Sequence, residues 1–200
     1  MDKKQKEQNK LLKKVFILLG VVLIGFLLVF FILGESKTIR YNELTFKIVQ
    51  EGQLTFYHTT LPLLKNGTKI ADWNFYLRTN PNELKSIPFD GNLSVRKMVV
   101  FNPKEELNCD GDGVIAIGNI IQNLYGYLNV TSVIRDENAT CDVTGRYSLV
   151  DMKVANVTEV KQVGSSCYEI NVANCEILKG TERYMIEALS KINDVINKKN

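Results

Sequence analysis

The sequence predicts an α+β protein: an N-terminal transmembrane helix followed by one extracytosolic domain with a largely antiparallel mixed sheet and two helices. Three observations predict it. Nineteen consecutive uncharged residues run from Val15 to Leu33. Several later stretches alternate apolar and polar residues, and two segments repeat apolar residues at helical spacing. Strands first, then a helix, four more strands and a closing helix is the order of an α+β domain. The chain therefore divides into a cytoplasmic basic stub (1–14), a transmembrane helix (15–33) and an extracytosolic domain (34–200).

A helix of nineteen residues, rising ~1.5 Å per residue, just spans a hydrocarbon core of ~30 Å. A cleaved secretory signal would have a shorter apolar region and a small-x-small site after it. Here Gly34-Glu35-Ser36-Lys37 follows, so the segment reads as a retained signal-anchor. Six lysines precede it, and only Lys37 and Arg40 follow closely. The positive-inside rule then makes a single-pass protein of the cell membrane, N-terminus cytoplasmic and C-terminal domain outside. Gly20 and Gly25 are five apart and do not form a G-x-x-x-G packing face.

The net charge of +3 changes meaning once the chain is divided. The stub's six Lys and two acids, taken from the chain's 25 basic and 22 acidic residues, leave 19 against 20 beyond it. A nucleic-acid reading of the basic excess fails, because that excess sits on the stub, where it sets topology and meets anionic lipid. Membrane lipid is thus a partner through the anchor. The 19 Lys to 6 Arg and the 19 Asn point to an AT-rich genome.

Within the domain, Leu44, Phe46 and Ile48 alternate with polar residues, and Leu54, Phe56 and His58 do so again after Glu51-Gly52. Asn66-Gly67 then joins the run Leu61–Leu64 to a strand carrying Ala71, Trp73, Phe75 and Leu77 on one face. Asn-Gly between such runs is a strong hairpin signal, although Pro62 weakens the first strand. Pro81, Pro88 and Asp90-Gly91 mark a loop, and Leu93–Phe101 reads as the next strand. Ile117, Ile120, Ile121, Leu124 and Leu128 place a helix over 114–128, with Asp110 or Asp112 as N-cap. Strands follow at Val130–Arg135, Ser148–Val154, Val157–Val163 and Tyr168–Val172. A final helix, capped by Thr181, buries Met185, Ala188, Leu189, Ile192 and Ile196.

Cys109, Cys141, Cys167 and Cys175 all lie beyond the anchor. An even number in an extracytosolic domain favours two disulfides, with three pairings open. Cys109 precedes the first helix and Cys141 follows the next strand, which puts both at one end of a β-α-β crossover and makes Cys109–Cys141 the leading pair. Cys167–Cys175 then requires a bend, since a straight strand would separate them by ~26 Å, against a limit of ~7 Å. A zinc site lacks a C-x-x-C and has only His58 to draw on. Five Asn-x-Ser/Thr sequons begin at Asn66, Asn92, Asn129, Asn138 and Asn156, all at expected turns or element ends, which are glycosylation candidates in a glycoprotein.

The chemical motifs are sparse. Asp110-Gly111-Asp112-Gly113 begins like a calcium loop but lacks the later ligands and reads as a helix-capping turn. His58 has no Ser or Cys elbow to serve. Glu105 with Glu106, or Glu176 with Glu182, could pair carboxylates only if the fold sets their spacing. The cluster Trp73, Phe75 and Tyr76 could face a ligand, but Trp73 and Phe75 fit a core stripe better. No catalytic residue, metal or cofactor is assigned.

The stretches FYHTTLPLLKNGTKIADWNFYLRTNPNEL and CYEINVANCEILKGTERYMIEAL resemble those of uncharacterised single-pass membrane proteins of small-genome archaea. The resemblance spans Leu54 to Leu189 and implies an anchor with an exported domain, with no activity attached. The residues themselves point to a membrane-anchored binding or interaction module of the cell envelope, with an envelope protein or glycan as partner. The alternative is an envelope-associated hydrolase whose carboxylates converge in the fold.

Overall fold

The computed structural model describes residues 12–26, 38–102, 107 and 109–198. It divides into two compact units, Met1–Lys37 and Thr38–Asn200. In the first, residues 12–26 form helix α1, with apolar side chains such as Phe16, Leu18, Val22 and Phe26 exposed. Among the described residues no helix is long and apolar enough to cross a membrane. The expected span Val15–Leu33 falls only partly on α1; its residues 27–33, and 1–11 of the stub, lie outside the described residues.

The second unit is α+β and holds two sheets. The first is an antiparallel meander of β1 (Thr38–Tyr41), β2 (Leu44–Glu51), β3 (Leu54–Lys65) and β4 (Thr68–Leu77), in that order across the sheet. Asn66 and Gly67 turn β3 into β4 with φ of 53° and 80°. Two positive φ values in a two-residue loop match the twist of the flanking strands, which is why Asn-Gly is favoured there. Leu44, Phe46, Leu61, Phe75 and Leu77 point inward and are buried. Helix α2 (Pro81–Leu84) follows, its first turn capped by the Asn80 carbonyl Oδ1, which accepts from the Asn82 N–H at 2.9 Å.

The second sheet has six strands: β5 (Phe89–Asp90), β6 (Met98–Asn102), β7 (Ser132–Arg135), β8 (Ser148–Val154), β9 (Glu159–Gly164) and β10 (Cys167–Val172). Their order is β5-β9-β10-β8-β6-β7. The expected single, largely antiparallel sheet is therefore corrected to two. In the second, only β9 and β10 pair antiparallel, while β5–β9, β10–β8, β8–β6 and β6–β7 are parallel. The cause is the connections. Helix α3 (Asp112–Gly118), continuing as π-helix over Asn119–Tyr125, is a crossover that returns β7 parallel to β6. The β9–β10 hairpin then folds back so that β10 lies between β9 and β8.

Boundaries also differ, the strands expected from Val130 and Val157 beginning at Ser132 and Glu159. The strand expected over Leu93–Phe101 is limited to Met98–Asn102. Before it, the Ser94 N–H goes to the Tyr168 hydroxyl at 2.5 Å and the Arg96 N–H to Ser148 Oγ at 2.8 Å, so these groups are unavailable to a ladder. Helix α4 (Ile177–Asn197) starts four residues before the expected cap, and the Thr181 hydroxyl instead donates back to the Ile177 carbonyl at 2.8 Å. Gly111, at φ 95°, precedes α3 in place of Asp110 or Asp112.

Helix α4 touches β9 and β10 of one sheet and β2 of the other. A single core joins Phe46, Phe75, Val150, Tyr168, Tyr184 and Leu189. Gly180 lets the helix approach closely, since a Cβ there would lie 3.0 Å from Ile170 Cγ2. Two buried charged residues tie α4 to its neighbours. Glu182 accepts the backbone N–H groups of Arg78 at 2.6 Å and Thr79 at 2.8 Å, just past β4. Arg183 donates from Nε to the Ile87 carbonyl at 2.8 Å and also meets Glu187 and the Tyr41 hydroxyl. Burial, helped by Glu187, pushes the Tyr41 hydroxyl up to about 12.

The disulfides are Cys109–Cys175 and Cys141–Cys167, with Cα atoms 5.4 and 5.7 Å apart. The expected Cys109–Cys141 and Cys167–Cys175 pairs are thus corrected. Because β6, β8 and β10 run parallel, Cys175, just past β10, lies at the same end as Cys109, just past β6. The chain leaving β7 must return to the opposite end to begin β8, and Cys141 travels with it to meet Cys167 at the start of β10. Gly164 makes room for that bridge: a Cβ there would stand 2.4 Å from Cys141 Sγ.

Candidate functional site

An antiparallel sheet buried on one side leaves every second residue of its strands facing water. In the first sheet these are not uniformly polar. Register places Thr38, Lys47, His58 and Tyr76 in one row across all four strands, on the face opposite Phe46 and Phe75. Beside it run a Val49–Phe56 pair and a Thr60–Asn74 pair. The strand spacing of ~4.8 Å makes the four-residue row roughly 14 Å wide.

The aromatic groups of this face contact one another. His58 stacks on Tyr76 with ring centroids 4.6 Å apart and planes at 26°. Phe56 meets Tyr76 edge to face at 6.3 Å, and the Arg78 guanidinium lies 6.0 Å from the Phe56 centroid. His58 Nε2 is 2.9 Å from Asn74 Oδ1, which fixes the imidazole plane. Tyr76 is 42% exposed, so a large amphipathic ring stands in water with a neighbour holding its rotamer. Rings held this way lose little entropy when a ligand covers them.

A second feature is a polar cleft of about 650 Å³ near the carboxyl ends of β8 and β10, where Glu83 and Glu176 both contribute to the wall. Of the two, Glu176 is already engaged. Lys179 Nζ lies 2.7 Å from Glu176 Oε1, and the Thr158 hydroxyl donates to Oε2 at 2.8 Å. Lys179, then Thr158, holds the Glu176 carboxyl below its ordinary range. The third feature, an apolar slot of about 260 Å³ along α4, is lined by Leu93, Val95, Leu128, Ile192 and Ile196 with Lys191 at its side.

Comparison of the chain with family models, curated proteins and solved structures gives no match. The site therefore has to be judged on its own residues.

The residues singled out in the sequence are dispersed. Trp73 is half-buried and packs against Tyr127 on the inner face, as does Phe75, while Tyr76 faces out. Glu176 lines the cleft, whereas Glu182 is sealed inside, and burial raises its carboxyl above the ordinary range despite two N–H donors. Glu105 and Glu106 lie outside the described residues. Asp110 and Gly111 form the turn into α3, and Asp112 lies 3.9 Å from Arg78. Among the described residues no three His, Cys, Asp or Glu side chains group as metal ligands. All five sequon asparagines, Asn66, Asn92, Asn129, Asn138 and Asn156, are exposed.

Sequence reasoning missed the outer face as a unit. In β3 both alternating sets contain apolar residues, Leu54-Phe56-His58 and Tyr57-Thr59-Leu61. The Asn66-Gly67 turn alone would set His58 opposite Phe75; a register shift between Leu63 and Leu64 moves the pairing by one residue, setting Thr59 opposite Phe75 and Leu61 opposite Trp73 and leaving His58 opposite Tyr76.

Proposed function

We propose that the protein is a membrane-anchored extracytosolic binding module of the cell envelope, engaging its partner through the outer face of the first sheet. The observation that carries this reading is the preassembled cluster of exposed Tyr76 with half-buried His58 and Phe56 on the outer face. The anchor and orientation rest on the apolar run Val15–Leu33 and the lysines before it; the two disulfides agree with an oxidising compartment. The likeness to single-pass membrane proteins of small-genome archaea has the same layout, and exposed sequons suit an exported glycoprotein.

The hydrolase alternative draws on Glu83 and Glu176 in one cleft. Acid–base work needs one carboxyl that holds its proton beside one that does not. The group with the raised carboxyl, Glu182, is sealed away from the cleft, and Glu176 is committed to Lys179 and Thr158.

The test uses the full chain in lipid nanodiscs, sedimented with delipidated envelope polymer. A His58→Ala/Tyr76→Ala variant is expected to lose binding by about tenfold or more, as removal of two aromatic contacts of roughly 1 kcal/mol each requires. Unchanged sedimentation contradicts the reading. For topology, protease added to intact cells should remove the domain beyond Gly34 and spare the stub; a domain protected until lysis would reverse the orientation.

A further inference from the structure

The outer face of the first sheet is charged as well as aromatic. Arg40 on β1 and Lys47 on β2 are exposed on it, and Arg78 reaches over Phe56 from the end of β4. Of the acids on this face, Asp72 is neutralised by Lys69 at 2.7 Å, and Glu51 stands at the far end of β2. Among the described residues neither Arg40 nor Lys47 has an ionic partner. Yet the chain beyond the stub has one more acid than base. Positive charge is thus gathered on this face of a slightly acidic domain, beside exposed Tyr76 and half-buried His58 and Phe56.

Resting on the binding reading above, we infer that this face takes an acidic polysaccharide. Its sugar rings lie over Tyr76, His58 and Phe56, and its carboxylate or other anionic groups meet Arg40 and Lys47, while Arg78 already lies 3.9 Å from Asp112. Thr38, Thr45, Thr60 and Asn74 stand exposed between rings and cations and supply the neutral donors and acceptors that sugar hydroxyls need. A single-stranded nucleic acid is a poorer match. It asks for several open rings on which bases stack in succession, and of the three only Tyr76 is exposed.

The full chain in nanodiscs is titrated with polygalacturonate, hyaluronan, neutral dextran and an oligothymidylate. The acidic polysaccharides are expected to bind best, more weakly as salt rises because exposed charges are screened. Arg40→Ser/Lys47→Ser should weaken them about tenfold, the effect of losing two charge-assisted contacts, with melting temperature unchanged. Equal binding of dextran, indifferent to that double variant but lost with Tyr76→Ala, overturns the charge inference and leaves the binding face intact. Preference for oligothymidylate overturns the ligand class. If no polymer binds, the inference fails, and the envelope sedimentation alone decides the broader reading.

Discussion

The two sheets of the domain solve the problem of their outer faces differently. The second, largely parallel, would normally be covered on both sides. Here the side away from α4 is covered in part by the connection carrying Ala139, Cys141 and Tyr147, which packs on Val100, Leu149 and Cys167. That connection is held by the Cys141–Cys167 bridge and by Asp142, whose carboxylate accepts from Thr144 and from Arg146 N at 2.7 Å and Nε at 3.1 Å. Much of the rest of the face carries paired charges, Lys153 with Asp151 and Glu169, and Lys161 with Glu159, beside the exposed Ile134 and Val163. Within the described residues of the domain, the first sheet has no such cover over His58 and Tyr76. Polar groups that satisfy each other have little left for a ligand, whereas exposed rings gain when water is displaced from them. On the proposed reading, the second sheet's outer side serves stability and the first's serves binding.

The largest expected effect is on the covalent ties of the second sheet. In the chain-entropy model the Cys109–Cys175 bridge, closing 66 residues, contributes roughly 4 kcal/mol, and Cys141–Cys167, closing 26, roughly 3.5. Cys109→Ser/Cys175→Ser should lower unfolding free energy by about that amount in denaturant titration. Non-reducing peptide mapping should recover these two linked pairs; a Cys109–Cys141 peptide would break the parallel topology that explains them.

Next comes the link between helix and first sheet. Glu182→Ala strands two buried N–H groups, those of Arg78 and Thr79, and should cost roughly 3 kcal/mol. Burial raises the folded-state pKa of this carboxyl, so its contribution is fully present below the ordinary carboxylate range and falls as pH rises through that range toward the folded value. Glu182→Gln should remove this decline from the pH profile of unfolding free energy. A Gln variant with an unchanged slope would place the ionised form inside.

How much of this was legible in the sequence depends on whether the deciding interaction was local. The Asn66-Gly67 hairpin, the strand Ser148–Val154 and the helix expected over 114–128, found as Asp112–Gly118 and Asn119–Tyr125, follow from short-range turn chemistry and periodicity. The disulfide pairing did not, because it depends on β10 running parallel to β8, set by a hairpin that folds back between two strands. Leu93–Lys97 looked strand-like, but tertiary hydrogen bonds to Tyr168 and Ser148 redirected its backbone. His58 was visible only as an isolated residue. Its meaning comes from Tyr76, eighteen positions on, and from a register that places both on the solvent side.

The most direct test of the assigned binding face is hydroxyl-radical footprinting of the full chain in nanodiscs, with and without envelope polymer. Aromatic side chains report their own exposure, and half-buried Trp73, on the inner face of the same strand as Tyr76, is an internal control. The account predicts that polymer suppresses oxidation at Phe56, His58 and Tyr76 while Trp73 and the cleft residues Ile87, Pro88 and Val157 are unchanged. Suppression at the cleft, with the outer face of the first sheet oxidised as before, would contradict it.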